Sequence, residues 1–197
     1  MMVPEDLPEL KVILVGDSGV GKTSLINVFM GEDFNENEVP TATGSFVVKD
    51  IEVENQKYSL NIWDTAGQEK YKHLTKLFYK GSSIVIFVFD VTNLLSFDNL
   101  QAWIDEVESI IDTNDYSFGI VGNKTDKIMN EQIKEEKVAE FAEKNGVMYK
   151  LVSAKSNPKG FTDLLKKLIQ KRAPSRTTFR IDKDNNKPTK NQKNCNC

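Results

Sequence analysis

The stretch Gly16-Asp17-Ser18-Gly19-Val20-Gly21-Lys22-Thr23 decides the reading of this chain. It fits the pattern G-x-x-x-x-G-K-[ST] and stands where that pattern has meaning. A short apolar run, residues 11–15, precedes it, and residues 23–30, with apolar side chains at helical spacing, follow. A strand, a glycine-rich turn and a helix in that order form a cradle for phosphate. The glycines let the backbone curl so that its N–H groups face inward, while Lys22 adds positive charge at the β- and γ-phosphates of a nucleotide. The Thr23 hydroxyl is a candidate magnesium ligand. Ser18, Gly19, Val20, Gly21, Lys22, Thr23 and Ser24 are the candidate phosphate-contacting residues.

Outward from this loop, short apolar runs at 60–63, 84–91, 118–121 and 148–152 read as buried strands. They alternate with 97–111, 131–145 and 161–171, where apolar residues recur every three or four positions, as in helices with one buried face. Such alternation predicts an α/β fold: a mostly parallel sheet with helices on both faces. Residues 46–54 and 58–64, separated by Asn55-Gln56, read as two strands joined by a tight turn. They add one antiparallel edge strand and bring the predicted sheet to six strands.

At 197 residues the chain is long enough for one sizeable core, and the expected division is an N-terminal extension (1–7), one domain (8–172) and a flexible tail (173–197). The tail holds only Phe179 and Ile181 as bulky apolar residues, too few to offset the entropy of ordering it. Its six Lys or Arg outweigh Asp182 and Asp184 by +4, so the net charge of −3 leaves −7 on residues 1–172. An acidic body argues against general nucleic-acid binding, whereas a basic tail suits an anionic membrane surface or simple solvation. No basic segment followed by an apolar one opens the chain, and the apolar run from Ile84 is cut by Asp90, so neither export nor a membrane span is expected. Both cysteines, Cys195 and Cys197, lie in the last three residues; the body has no thiol to crosslink, and the cytosol is the simplest compartment.

Two further constellations belong at the same edge of the sheet as the phosphate loop. Asp64, in Trp63-Asp64-Thr65-Ala66-Gly67-Gln68-Glu69, ends a strand; alone it reads as a turn-starter or cap, but opposite Thr23 it is a candidate magnesium ligand. Asn123-Lys124-Thr125-Asp126 and Ser153-Ala154-Lys155 each follow a predicted strand and outline a base pocket. A carboxylate at Asp126 can accept from the N1–H and 2-amino groups of guanine, whereas adenine has an acceptor at N1 and no 2-amino group.

Taken together, GDSGVGKT, WDTAGQE, NKTD and SAK, in this order and spacing, resemble the Ras-like small GTPases over about residues 8–172. The resemblance implies their P-loop GTPase fold, binding of GTP and GDP with magnesium, and slow hydrolysis of GTP. It implies that Asn123 and Lys124 shape the base pocket, that Ala154 offers its N–H to guanine O6, and that Phe34 packs on the base edge. Thr41, nineteen residues after Lys22, matches the first-switch threonine that ligates magnesium only when the γ-phosphate is present. Gly67 matches the glycine whose N–H reaches that phosphate, and Gln68 the residue that orients the attacking water. Lys22, Gly67 and Gln68 are thus the expected catalytic set. No arginine precedes Arg172, so an arginine finger must come from a partner.

Within that superfamily SLNIWDTAGQE, KYKHLT, LFYKGSS and IVIFVFDVT resemble the Rab proteins, and the closing Cys195-Asn196-Cys197 resembles their doubly prenylated ending rather than C-a-a-X. This implies a role in vesicle trafficking and cycling between cytosol and the cytosolic face of intracellular membranes. The implied partners are effectors reading Phe46, Trp63 and Phe78, an exchange factor, a GTPase-activating protein and a prenyl-binding escort. Pro40-Thr41-Ala42-Thr43-Gly44 departs from the Rab pattern, with Ala42 and Thr43 where isoleucine and glycine are usual. A register one residue later would match Gly44 to the family's glycine but put Ala42 at the metal position and lose Phe46. Three alternatives stay open here: a binding module that does not hydrolyse, a Ras- or Rho-like signalling protein, and an ATP-using P-loop kinase.

Overall fold

The computed structural model describes residues 7–39, 41, 44–65, 78–111 and 116–172. Six strands form one sheet: β1 (Glu9–Val15), β2 (Ser45–Val53), β3 (Gln56–Asp64), β4 (Ile84–Asp90), β5 (Ser117–Asn123) and β6 (Met148–Leu151), in the order β2-β3-β1-β4-β5-β6. Only the β2–β3 pair is antiparallel; β1 pairs in parallel with β3 and β4, β4 with β5, and β5 with β6. The helices among the described residues are α1 (Lys22–Met30), α2 (Leu94–Asp98), α3 (Leu100–Glu108), α4 (Glu135–Lys144) and α5 (Lys159–Arg172), with a 3-10 turn at Ile128–Asn130. None of them is long and apolar enough to cross a membrane.

The strands are apolar without alternation because both faces of the sheet are covered. Val12 and Leu14 of β1 and Ile84, Ile86 and Val88 of β4 point to one side, where Leu25, Ile26 and Phe29 of α1 and Phe161, Leu164 and Leu168 of α5 close over them. Ile13, Val15, Val85, Phe87 and Phe89 point to the other, against Phe97 of α2, Leu100, Trp103 and Val107 of α3, and Val138 of α4. Each such side chain removed from water contributes about 1.5–3 kcal/mol, so the two layers together hold the sheet centre dry.

Three boundaries differ from the sequence reading. The predicted helix 97–111 is two helical segments meeting at Asn99, and it begins earlier because the Asn93 side chain caps it by accepting from Leu95 N at 3.1 Å. The predicted helix 131–145 starts only at Glu135. Residues 132 and 133 instead hook onto the end of β4, each donating its N–H to Val91 O, and Ile133 is buried in that hook. The β2–β3 turn is centred on Glu54 and Asn55, not on Asn55-Gln56, since Gln56 already pairs with Val53. Both central residues are left-handed, φ 51° and 64°, the arrangement whose twist matches a two-residue hairpin.

This turn is a test of the hairpin. Asn tolerates the left-handed region and a β-branched residue does not, so Asn55→Val should lower stability by about 1–2 kcal/mol while Asn55→Gly stays within about 0.5 kcal/mol of wild type. Urea denaturation measures both; equal stabilities for the two variants would contradict a left-handed Asn55.

Candidate functional site

Side chains at or just past the carboxyl ends of β1, β3, β4, β5 and β6 converge on one locus. The crossover after β1 leads to the β2–β3 side of the sheet and the connection after β3 passes back beyond β1 to β4, so β1 ends where the strand order reverses, the position at which open α/β sheets bind ligands. A pocket of about 420 Å³ lies there, a volume suited to a small organic ligand. Its walls include Ser18, Gly19, Gly21, Lys22, Thr23, Ser24, Phe34, Thr41, Asn123, Lys124, Asp126, Ala154 and Lys155. Of the remaining sequence candidates, Val20 and Ser153 are buried behind the wall. Gly67, Gln68, Cys195 and Cys197 lie outside the described residues.

The loop after β1 takes its shape from glycine. Gly16, Gly19 and Gly21 have φ of 146°, 77° and 94°, a region that side-chain-bearing residues rarely enter. At Gly21 space is also closed: a Cβ there would sit 2.3 Å from Asn123 Nδ2. Asn123 in turn donates from Nδ2 to Val20 O at 2.9 Å and accepts Ala154 N–H at 3.1 Å on Oδ1. One amide thereby joins the phosphate loop, the β5 loop and the β6 loop.

Lys22 is 5% exposed, and its Nζ donates to Gly16 O at 2.7 Å and Asp17 O at 2.9 Å. Burial pulls its pKa down to about 8, against the opposing pull of Asp64 and Asp17. Beside it Thr23 Oγ1 donates to Asp64 Oδ2 at 2.6 Å and lies 2.7 Å from Thr41 Oγ1, which is 3.3 Å from the same carboxylate oxygen. The three predicted metal ligands are brought together; Ala42, the residue that the alternative register puts at the metal position, lies outside the described residues. Asp64 is 2% exposed, its pKa raised by burial against the hydrogen bond from Thr23, and its Oδ1 has no hydrogen-bond partner among the described residues. Two hydroxyls and a carboxylate with an unsatisfied buried oxygen are the hard donors that magnesium prefers, so these residues fit that ion.

At the other end, Ser153 Oγ donates to Asp126 Oδ1 at 2.6 Å and accepts Lys155 N–H and Ser156 N–H at 3.1 and 3.0 Å, which fixes the carboxylate at the pocket wall. Lys124 is left-handed at φ 70°, and its Nζ is held by Gly19 O at 2.6 Å and Asp90 Oδ2 at 2.7 Å. Strain of that kind persists where surrounding bonds over-determine it. Glu36 pairs with Lys155 across the mouth of the pocket; the hydrogen bond lowers the pKa of Glu36 and raises that of Lys155.

Sequence reasoning missed several contributors. Asp90 reads in sequence only as the residue that interrupts an apolar run, yet it ends β4 as Asp64 ends β3 and holds Lys124; that parallel was the available signal. Thr65 ties the end of β3 to β1 by donating to Leu14 O at 2.6 Å. Glu36 carries no local signal, because its partner is 119 residues away. On the outer surface Phe46, Trp63 and Phe78 stand together, ring centroids 5.0 and 5.1 Å apart along the row.

The Ras family model matches residues 11–173. A Ras-related protein Rab-18 from Lymnaea stagnalis is 39% identical over 169 residues, covering 84% of this chain and 83% of that protein. A Ras-related protein Rab-7a from Paramecium octaurelia is 33% identical over 94% of this chain and 95% of its own length. GTP-binding protein YPTC5 from Chlamydomonas reinhardtii is 41% identical over 75% of each.

Two outcomes follow from the geometry. Gly21→Ala forces a Cβ onto Asn123 and a side chain into a left-handed position, and should weaken guanine-nucleotide affinity roughly tenfold or more by titration calorimetry. Unchanged affinity would mean that the Gly21–Asn123 contact is slack. Glu36→Ala opens an exposed ion pair, so nucleotide release should quicken by no more than about fivefold at low salt, and the difference should vanish near 1 M salt. A salt-independent difference in stopped-flow fluorescence would rule out the ion pair as its cause.

Proposed function

Because the chain belongs to the Ras family and is a Rab-like small GTPase, we propose that this pocket binds GTP and GDP with magnesium, hydrolyses GTP slowly, and signals which nucleotide it holds. The observation that carries the reading is the convergence of two chemistries on one cavity: Lys22 with the Thr23–Thr41–Asp64 oxygens at one end, and Asp126 with Asn123 and Ala154 at the other.

The N–H groups of the loop and the first turn of α1 face the phosphates, and the Lys22 ammonium, two of whose three N–H donors are taken by Gly16 O and Asp17 O, turns the third to a phosphate oxygen. Thr23, Thr41 and Asp64 would hold magnesium, which, when bound, neutralises charge on the β- and γ-phosphates. Asp126, oriented by Ser153, accepts from guanine N1–H and the 2-amino group, and Ala154 N–H, donated to Asn123 Oδ1 in the structure, exchanges that acceptor for guanine O6. Phe34 packs on the base edge. Gln68 orients a water whose oxygen bonds to the γ-phosphorus as the bond to the bridging oxygen breaks and GDP leaves. Loss of the γ-phosphate removes the reason for Thr41 and Gly67 to stay in place, so both switch loops change shape.

The proposed organisation is a GTPase domain over 8–172, an extension at 1–7 and a tether at 173–197 that ends in prenylated Cys195 and Cys197. Two lipid chains supply stable anchoring where one is marginal, and the basic tail adds attraction to anionic lipid. Effectors would read Phe46, Trp63 and Phe78 in the GTP form, with an exchange factor, an activating protein and a prenyl-binding escort completing the cycle of vesicle trafficking.

Single-turnover hydrolysis of magnesium-GTP, wild type beside Gln68→Leu, tests the catalytic part. Slow conversion of bound GTP to GDP that the variant loses is the expected result, with roughly 10³- to 10⁵-fold acceleration when a partner supplies an arginine. Tight GTP binding with no hydrolysis in either protein would reduce the chain to a binding module.

A further inference from the structure

Asp17 does not line the nucleotide pocket, although Ser18 and Gly19 beside it do. Its carboxylate is engaged on the opposite side of the loop, where Asn99 Nδ2 donates to Oδ2 and Trp103 Nε1 donates to Oδ1, each at 2.8 Å. These donors come from the α2–α3 junction, 82 and 86 residues away. Neither is loose. Trp103 is packed in the second core layer, and the Asn99 backbone is tied to Leu95 O and to Trp103 N–H. The same Asp17 offers its main-chain carbonyl to Lys22 Nζ.

Asp17 therefore joins Lys22, through its main chain, to α2 and α3, through its side chain. A loop with positive-φ glycines at 16, 19 and 21 has little stiffness of its own, and two bonds to an ionised acceptor are the strong kind. Resting on the nucleotide-binding reading above, we propose that Asp17 is a positioning residue. The Asn99–Trp103 clamp on its carboxylate fixes the peptide that steers Lys22, and it keeps a negative charge turned away from the phosphates. The α2–α3 junction thereby becomes part of the phosphate site without touching the ligand.

The test exchanges donor and acceptor across the clamp. Asp17→Ala removes both acceptors, and Asn99→Asp sets two carboxylates together; each should speed release of a fluorescent GDP roughly tenfold, whereas Asp17→Asn alone keeps both bonds when the Asn99 amide turns over. The double variant Asp17→Asn/Asn99→Asp restores complementary groups and should return release to within about threefold of wild type. Trp103→Phe, which keeps an aromatic ring and removes the indole N–H, gives an independent measure should Asp17→Ala fail to fold, and it too should release GDP faster. Asp17→Ala and Asn99→Asp single variants releasing GDP at the wild-type rate would overturn the proposal. So would a double variant that melts like wild type yet releases as fast as the singles, since the charge at position 17 and not the clamp would then be at work. A wild-type protein that holds no guanine nucleotide overturns the functional reading and this proposal with it, whereas normal wild-type binding with silent variants overturns this proposal alone.

Discussion

Burial of the Lys22 ammonium is the constraint on which the rest of the site depends. Removing an ammonium from water costs several kcal/mol even after relaxation, and here the side chain is 5% exposed. Two carbonyls, Gly16 O and Asp17 O, replace the lost water, and the Asp64 and Asp17 charges oppose the downward pull on its pKa. For those carbonyls to point at Nζ the chain must turn through conformations that only glycine adopts without cost, which accounts for the glycines at 16 and 21. An anion arriving at the loop offers the ammonium a better partner than a carbonyl, so the arrangement favours phosphate before any other part of a ligand is considered.

Compensation for the strained pieces comes from distant strands. Lys124 stays left-handed because Asp90 at the end of β4 and Gly19 in the phosphate loop both hold its Nζ. Asn123 leaves no room for a side chain at Gly21 and uses the same amide to bind Val20 O and Ala154 N. The ends of β1, β4, β5 and β6 are thus cross-tied by side chains, which couples the Asp126 end of the pocket to the Lys22 end. The Asp64 carboxylate does the same for β3 through Thr23 and Thr41.

Most of the fold was legible because its signals are local. Apolar runs marked β1, β4 and β5 to within about two residues, since a strand covered on both faces must be apolar throughout. Boundaries failed where a tertiary contact outweighed periodicity. Ile133 fits a helical pattern but is buried in an extended hook on Val91, and Gln56 looks like a turn residue but is already paired with Val53. For the site, motif spacing was enough to nominate Lys22, Thr23, Asp64, Asn123 and Asp126, because each motif sits at a strand end and parallel strands put those ends on one edge. Glu36 and the Asn99–Trp103 pair had no such signal.

The sequence alone determined the class of the protein: a glycine-rich loop between strand and helix, a carboxylate at the end of β3, and the NKTD and SAK loops after β5 and β6. Those features depend on residue type and short-range spacing, which a chain displays before it folds. Tertiary structure alone decided which groups meet across the chain. Examples are the closure of Glu36 on Lys155 over 119 residues and the engagement of the Asp17 carboxylate by Asn99 and Trp103. The physical reason is that hydrogen bonds and ion pairs act over about 3 Å, a range set by how helices pack on the sheet and not by distance along the chain.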